Sequence, residues 1–132
     1  MAFIDHFSLG VADLERAGRF YDALLAPLGA RRLFEERDVI AYGTSPREGL
    51  FVINLPLDPD RPVVPQNGFH VCFSAESGAA VAAFHAAGLA AGGRDNGAPG
   101  YRPEYAPDYY GAFIIDPDGN RLGVVARVAP GA

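Results

Sequence analysis

The sequence predicts an α+β fold, with two βαβββ modules forming a curved mixed sheet around a cleft and the helices outside. Three observations predict it. The chain repeats itself 64 residues on, so that His6 matches His70, Phe20 matches Phe84, Ala23 matches Ala87, Leu25 matches Leu89 and Gly29 matches Gly93. In each copy an apolar strand runs into a stripe of helical period. A proline-rich stretch separates the copies. A repeat of this kind marks two copies of one supersecondary unit. Neither copy alone is long enough to bury both faces of its own sheet.

The elements follow in order. Residues 3–9 read as a strand bearing His6. Asp13 is placed to cap a helix, because its carboxylate can accept from the free amides of the first turn. Leu14, Ala17, Phe20, Tyr21, Leu24 and Leu28 form the apolar stripe of that helix. Pro27 and Gly29 suit its ending. Residues 32–35, 39–42 and 50–55 read as three short strands, with turn residues at 44–49. Pro56, Pro59, Pro62 and Pro65 favour extended, unpaired backbone. They place module one at residues 1–57, the linker at 58–67 and module two at 68–132.

The pattern then restarts. Residues 69–73 read as a strand, Ser77 as a cap, and Val81, Phe84, Ala87 and Leu89 as a helical stripe closed by Gly92 and Gly93. Residues 112–115 and 121–128 read as a hairpin around Asp116, Pro117, Asp118, Gly119 and Asn120. Asp, Asn and Gly suit that turn, and it lacks the further spaced acids of a calcium loop. Residues 95–111 read as a long loop rich in tyrosine. Loops of such length in compact domains are often functional.

Composition narrows the function. The chain has 132 residues, 49% of them hydrophobic and 20% charged, with a formal charge of −5. That is the balance of a single globular domain. It gives no general attraction to nucleic acid or to an anionic membrane. The single cysteine, Cys72, excludes an intrachain disulfide and a cysteine-rich zinc module. Met1 leads straight into a patterned strand, without a signal-peptide pattern, and no apolar run is long enough to span a membrane. The expected partners are a small molecule and a second copy of the chain, and the expected location is cytoplasmic.

The candidate site follows from the repeat. His6 and His70 open matching strands, so two facing modules would bring them towards one centre. They are the candidate catalytic pair and the candidate metal ligands. Polar groups of a cavity, or plain structural residues, are the other readings. Residues two apart on a strand share a face, which adds Ser8 beside His6 and Cys72 beside His70. Tyr101, Arg102, Tyr105 and Tyr110 from the long loop, and Arg121 from the closing hairpin, complete the expected ligand-binding set. Tyrosine offers a flat apolar face with a polar tip, and arginine can clamp an anion. His85 on the second helix reads as a surface or helix-flank residue.

The segments DHFSLGVADLERAGRFYDALLAPLGARRL, GFHVCFSA and DPDGNRLGVV resemble the vicinal oxygen chelate superfamily. That superfamily includes glyoxalase I, the bleomycin and fosfomycin resistance proteins and the extradiol dioxygenases. The resemblance covers essentially the whole chain. It implies a divalent metal such as zinc, nickel, iron or manganese, held by side chains from the first and last strands of both modules. It also implies modules that often pair across a dimer. His6 and His70 match two ligand positions. The glutamate of the closing hairpin falls at Gly123, which offers no side chain. The last strand of module one holds no acid, only Asn54 in a register the sequence leaves open, with Glu48 just before it. Glu104, Asp95 or Asp108 from the long loop, or a second subunit, would have to complete the set. Gly123 is expected to leave room for a larger ligand or an apolar pocket. The resemblance therefore implies a small-molecule binder with a degenerate metal site. The alternative is a metal-dependent lyase or isomerase of the glyoxalase kind, or a dioxygenase-like oxidoreductase, with unusual ligands. The resemblance is compatible with either a binder or an enzyme.

Overall fold

A computed structural model describes residues 2–131; Met1 and Ala132, the outer limits of the two predicted modules, lie outside them. The first module consists of β1 (His6–Gly10), α1 (Leu14–Leu25), β2 (Arg31–Glu36), β3 (Val39–Gly43) and β4 (Leu50–Asn54). The second consists of β5 (Val71–Ser74), α2 (Gly78–Ala90), β6 (Arg94–Tyr101), β7 (Tyr109–Ile115) and β8 (Arg121–Arg127). Each module is βαβββ, as the repeat predicts. The sheets run β1-β4-β3-β2 and β5-β8-β7-β6, each mixed, with one parallel pairing between its first and last strands. No helix among the described residues is long and apolar enough to cross a membrane.

Both helices start where the caps predict. The Asp13 side chain accepts from the Arg16 amide, and the Ser77 side chain accepts from the Ala80 amide. The first helix ends in a 3-10 turn over Ala26–Leu28, with Gly29 in the left-handed region at φ 77°. The one element the sequence hid is β6. The segment read as a loop at 95–111 is a strand up to Tyr101, and only residues 102–108 are irregular. Its register against β7 shifts between Asp95 and Gly97 and again between Gly97 and Gly100. Bulges of that kind, with Gly97, Pro99 and Gly100, erase the alternation that signals a strand.

One core joins the modules. It runs from Leu9, Phe20, Tyr21 and Leu24 through Tyr42, Phe51 and Ile53 to Val81, Phe84, Ile114, Leu122 and Val124. The two helices meet at equivalent positions of the repeat, Leu24 and Gly88. A Cβ on Gly88 would lie 2.9 Å from Leu24 Cδ1 and 2.3 Å from Ile114 Cδ1, so a larger residue here would force those side chains to shift. Phe51 and Phe73 close the junction edge to face, with centroids 5.2 Å apart. His85 is buried on the flank of α2, and its Nε2 lies 2.8 Å from Asp95 Oδ1 at the start of β6. Hydrogen bonding to His85 holds the Asp95 carboxyl below its ordinary range.

The closing turn does more than reverse the chain. Asp116 is buried and accepts from Asn120 N, Asn120 Nδ2 and Asp118 N within the turn. It also accepts, at 2.5 Å, from the hydroxyl of Tyr21 on α1 of the other module. Burial, and then Asp116 itself, push the Tyr21 hydroxyl well above its ordinary pKa, so it remains a donor at neutral pH. Asp118 adds a second tie, accepting from the Ala12 amide and from Arg16, each at 3.1 Å. Removing the Tyr21 hydroxyl leaves a buried carboxylate short of a donor, which costs roughly 1–3 kcal/mol. Tyr21→Phe is therefore expected to lower the unfolding free energy by that amount, seen as a lower urea midpoint with an unchanged slope of the transition. An unchanged midpoint would show that the tie is dispensable.

Candidate functional site

Strand alternation sorts the second sheet into two faces. Ala112, Ile114, Leu122, Val124 and Ala126 point to the helix and the core. Tyr109, Gly111, Phe113, Gly123, Val125 and Arg127 therefore share the opposite, open face, together with Cys72 and the preceding His70. The predicted residues divide accordingly. Tyr110 packs on the helix side, where a Cβ at Gly78 of α2 would lie 3.3 Å from its ring. Tyr101 stands beside Tyr110 in register, with ring centroids 5.0 Å apart, and its hydroxyl donates to Ala129 O. Tyr101 and Tyr110, expected in the ligand-binding set, therefore do not share the face that carries His70. Each is one residue out of phase with the open face, and alternation turns it away. Tyr109, absent from the predicted set, takes their place. Its parity with Phe113 and Gly123 was the available signal, hidden because the start of β7 read as loop.

The open face has a distinctive floor. It carries Gly111 and Gly123, with Gly97 and Gly100 on β6, and a planar side chain covers each. A Cβ at Gly123 would lie 2.8 Å from His70 Nε2 and 3.1 Å from Phe113. A Cβ at Gly111 would lie 2.7 Å from the Tyr109 ring. Cβ atoms at Gly97 and Gly100 would lie 3.2 and 3.1 Å from the Arg102 guanidinium. That guanidinium donates to Ala98 O at 2.6 Å and sits 5.5 Å from the Phe113 ring centroid. His70 and Phe113 are tilted neighbours at 5.8 Å. The space above Gly123 is therefore filled by His70 and Phe113. This corrects the expectation of extra room there.

Tyr109 is the centre of the far end. Its hydroxyl lies 3.7 Å from Cys72 Sγ, Arg127 stacks 4.9 Å from its ring centroid, and Tyr105 packs at 5.1 Å. Arg127 also faces Asp108 at 3.9 Å. Burial pushes the Tyr109 hydroxyl up to about 12, with the Cys72 contact adding to it. Burial likewise raises the Cys72 thiol, against the opposing effects of Tyr109 and Arg127, so sulfur stays protonated at neutral pH. A protonated thiol is a poor nucleophile. Desolvation lowers the His70 pKa, leaving a neutral imidazole that can accept a proton.

The first module contributes differently. His6 is more than half exposed, and its Nδ1 lies 2.5 Å from Asp5 Oδ1. Ser8 lines a cavity of about 400 Å³ under the linker. His85 belongs to the structural pair with Asp95. Neither His6 nor His70 lines any of four well-formed cavities, and no group of three or more His, Cys, Asp or Glu residues comes together among the described residues.

Register settles which residue of module one corresponds to Gly123. Cys72 pairs with Gly123, and its repeat equivalent Ser8 pairs with Val52. Asn54 pairs with Gly10, two residues further on. The four positions that the resemblance assigns to a metal are therefore His6, Val52, His70 and Gly123. Two imidazoles, an aliphatic chain and no side chain supply no anionic donor, so these residues do not fit a divalent ion held in that pattern.

Comparison with known proteins agrees with the geometry. The Glyoxalase/Bleomycin resistance protein/Dioxygenase superfamily model matches residues 3–124. A glyoxalase/bleomycin resistance protein from Albidiferax ferrireducens superposes with a TM-score of 0.87 at 37% identity, over 96% of this chain and 100% of that one. A glyoxalase-related enzyme from Fulvimarina pelagi gives 0.72 at 21% identity, over 96% and 88% of the two chains. A fosfomycin resistance protein from Mesorhizobium loti gives 0.67 at 15% identity, over 96% and 92%, a likeness of fold alone. No curated protein matches the chain. Two βαβββ modules, a family model spanning both and a relative of the same architecture place this chain in the glyoxalase/bleomycin resistance protein/dioxygenase superfamily.

Proposed function

We propose that the protein binds a small planar molecule on the open face of its second module, without a divalent metal held in the superfamily pattern. The observation that carries this is the glycine floor roofed by Arg102, Tyr109, His70 and Phe113. Flat groups lying on a sheet present π-faces and a guanidinium plane, which suit stacking. Arg102 and Arg127 stand at its borders, so an acidic substituent on the ligand gains a cationic partner. Cys72 and Tyr109 stay protonated and neutral, and His70 supplies a proton acceptor beside the ring. Binding and holding a compound is the activity this set supports.

The probe is 2-naphthoate, a planar aromatic acid, followed by its fluorescence anisotropy. Saturable binding is expected, weakened about fivefold to tenfold by Tyr109→Leu, as the loss of one aromatic contact implies. Arg102→Met should weaken 2-naphthoate but spare neutral 2-naphthamide. Equal binding by the parent and Tyr109→Leu would sink the proposal. Gly123→Ala must displace His70 and Phe113, costing roughly 1–3 kcal/mol in urea unfolding. A neutral or stabilising result would mean that the space above Gly123 stands open.

We further propose a homodimer. β1 and β5 are both edge strands and make no ladder with each other, which leaves each free to meet a second copy. The metal-dependent lyase or oxidoreductase reading keeps one supporting observation. Asp5 ties His6 Nδ1 and leaves Nε2 free to coordinate, as in carboxylate–histidine–metal sites. That reading needs further donors from a partner. Light scattering with metal analysis on one untagged sample tests both. A dimer of the 14.0 kDa chain with far less than one metal per chain is expected. A monomer would overturn the dimer. One metal per chain, lost in both His6→Ala and His70→Ala, would establish the metalloenzyme reading instead.

A further inference from the structure

The linker borders a cavity, open to solvent, that the stacking face does not use. About 330 Å³ in volume, it lies between the linker residues Gln66 and Asn67 and the starts of β6 and β8, with Arg94, Asn120 and Arg121 on its wall. No aspartate or glutamate lines it. That is notable in a chain with 16 acidic residues against 11 basic ones, because an arginine pair here would ordinarily attract a carboxylate.

Pairing puts the two arginines on one face. Arg94 is in register with Ile115, and Ile115 with Arg121, so all three form one row across β6, β7 and β8. Residues in register on adjacent strands share a face, and Arg94 and Arg121 stand two strand spacings apart, about 10 Å between Cα atoms. Both line the cavity. Among the described residues neither guanidinium has an ion pair or a hydrogen bond. The acids of the neighbouring turn face the other way: Asp116 is committed to Tyr21, and Asp118 to Ala12 and Arg16. The neutral amides of Gln66 and Asn67 add donors without adding charge. Asp58 and Arg61 line only the adjoining cavity, which shares Gln66, Phe69 and Asn120 with this one.

Two unpaired guanidiniums, amide donors and no acid make a site for a multiply charged oxyanion. Guanidinium groups bind phosphate by paired N–H donors, and such charge-assisted bonds are the strong ones. We propose that this cavity binds a phosphate dianion, held between Arg94 and Arg121 with Gln66 and Asn67 as neutral donors. The group is either inorganic phosphate or the phosphoryl group of a small ester. The site is distinct from the stacking face and stands whether or not 2-naphthoate binds there.

The test is a titration of the whole chain with inorganic phosphate at constant ionic strength, with sodium chloride replaced by sodium phosphate and arginine Nε–H signals read by NMR. The Arg94 and Arg121 signals are expected to move together and saturate with one dissociation constant. Arg94→Gln and Arg121→Gln should each weaken binding at least tenfold, as the loss of one charge-assisted bond implies. Asn67→Asp, which keeps both arginines and adds a carboxylate at the wall, should weaken it as strongly. A phosphorylated probe, glycerol 3-phosphate, distinguishes the sources: tighter binding than phosphate marks an ester, weaker binding marks the free ion. Uniform drift of all arginine signals, or unchanged phosphate binding in the double variant Arg94→Gln/Arg121→Gln, would overturn the proposal.

Discussion

A buried carboxylate bridging the modules organises the rest of this structure. Asp116 satisfies its own turn through Asn120 and Asp118 and then receives the hydroxyl of Tyr21, 95 residues earlier in the chain. A carboxylate is costly to bury unless hydrogen bonds surround it, so the turn and α1 hold each other in place. That fixes the start of β8. From there, the parallel pairing with β5 sets Gly123 beside Cys72 and brings His70 over it. Arg121 is aimed beneath the linker by the same strand. The chemistry of the open face therefore depends on a contact that lies outside it.

Register explains the departure from the superfamily's metal pattern. The two histidines occupy the equivalent first-strand positions, but the equivalent last-strand positions are Val52 and Gly123. A missing carboxylate usually leaves a gap. Here an imidazole and a phenyl ring occupy it, and the same substitution of planar group for side chain recurs over Gly97, Gly100 and Gly111. Gly123 and Val52 both lack a donor, and the stacking surface we propose lies over the first of them. His70 stands beside the Phe113 ring, and desolvation lowers its pKa and favours the neutral form.

Much of this was legible in the sequence because it depends on local chemistry. Asp13 and Ser77 cap their helices as read, since capping involves only the first turn. The repeat and the closing hairpin were equally plain. What stayed hidden depends on pairing. β6 lacks strand alternation because two bulges and its glycines interrupt it. Tyr101 and Tyr110 looked like site residues by composition, and only the phase of β7 against β8 sends them to the helix side. Asp116 read as a turn residue because its partner lies far away in the chain. Space at Gly123 could not be judged without knowing which rings lean over it.

The most direct test of the central claim is a nitrogen-15 NMR spectrum of the imidazoles, recorded with one equivalent of zinc and then with 2-naphthoate. A stacking face without the metal pattern predicts that the His70 ring signals are those of a neutral imidazole at pH 7. They should stay in place with zinc and move saturably with the aromatic acid. Movement of His6 and His70 together, complete at one zinc per chain, would contradict it.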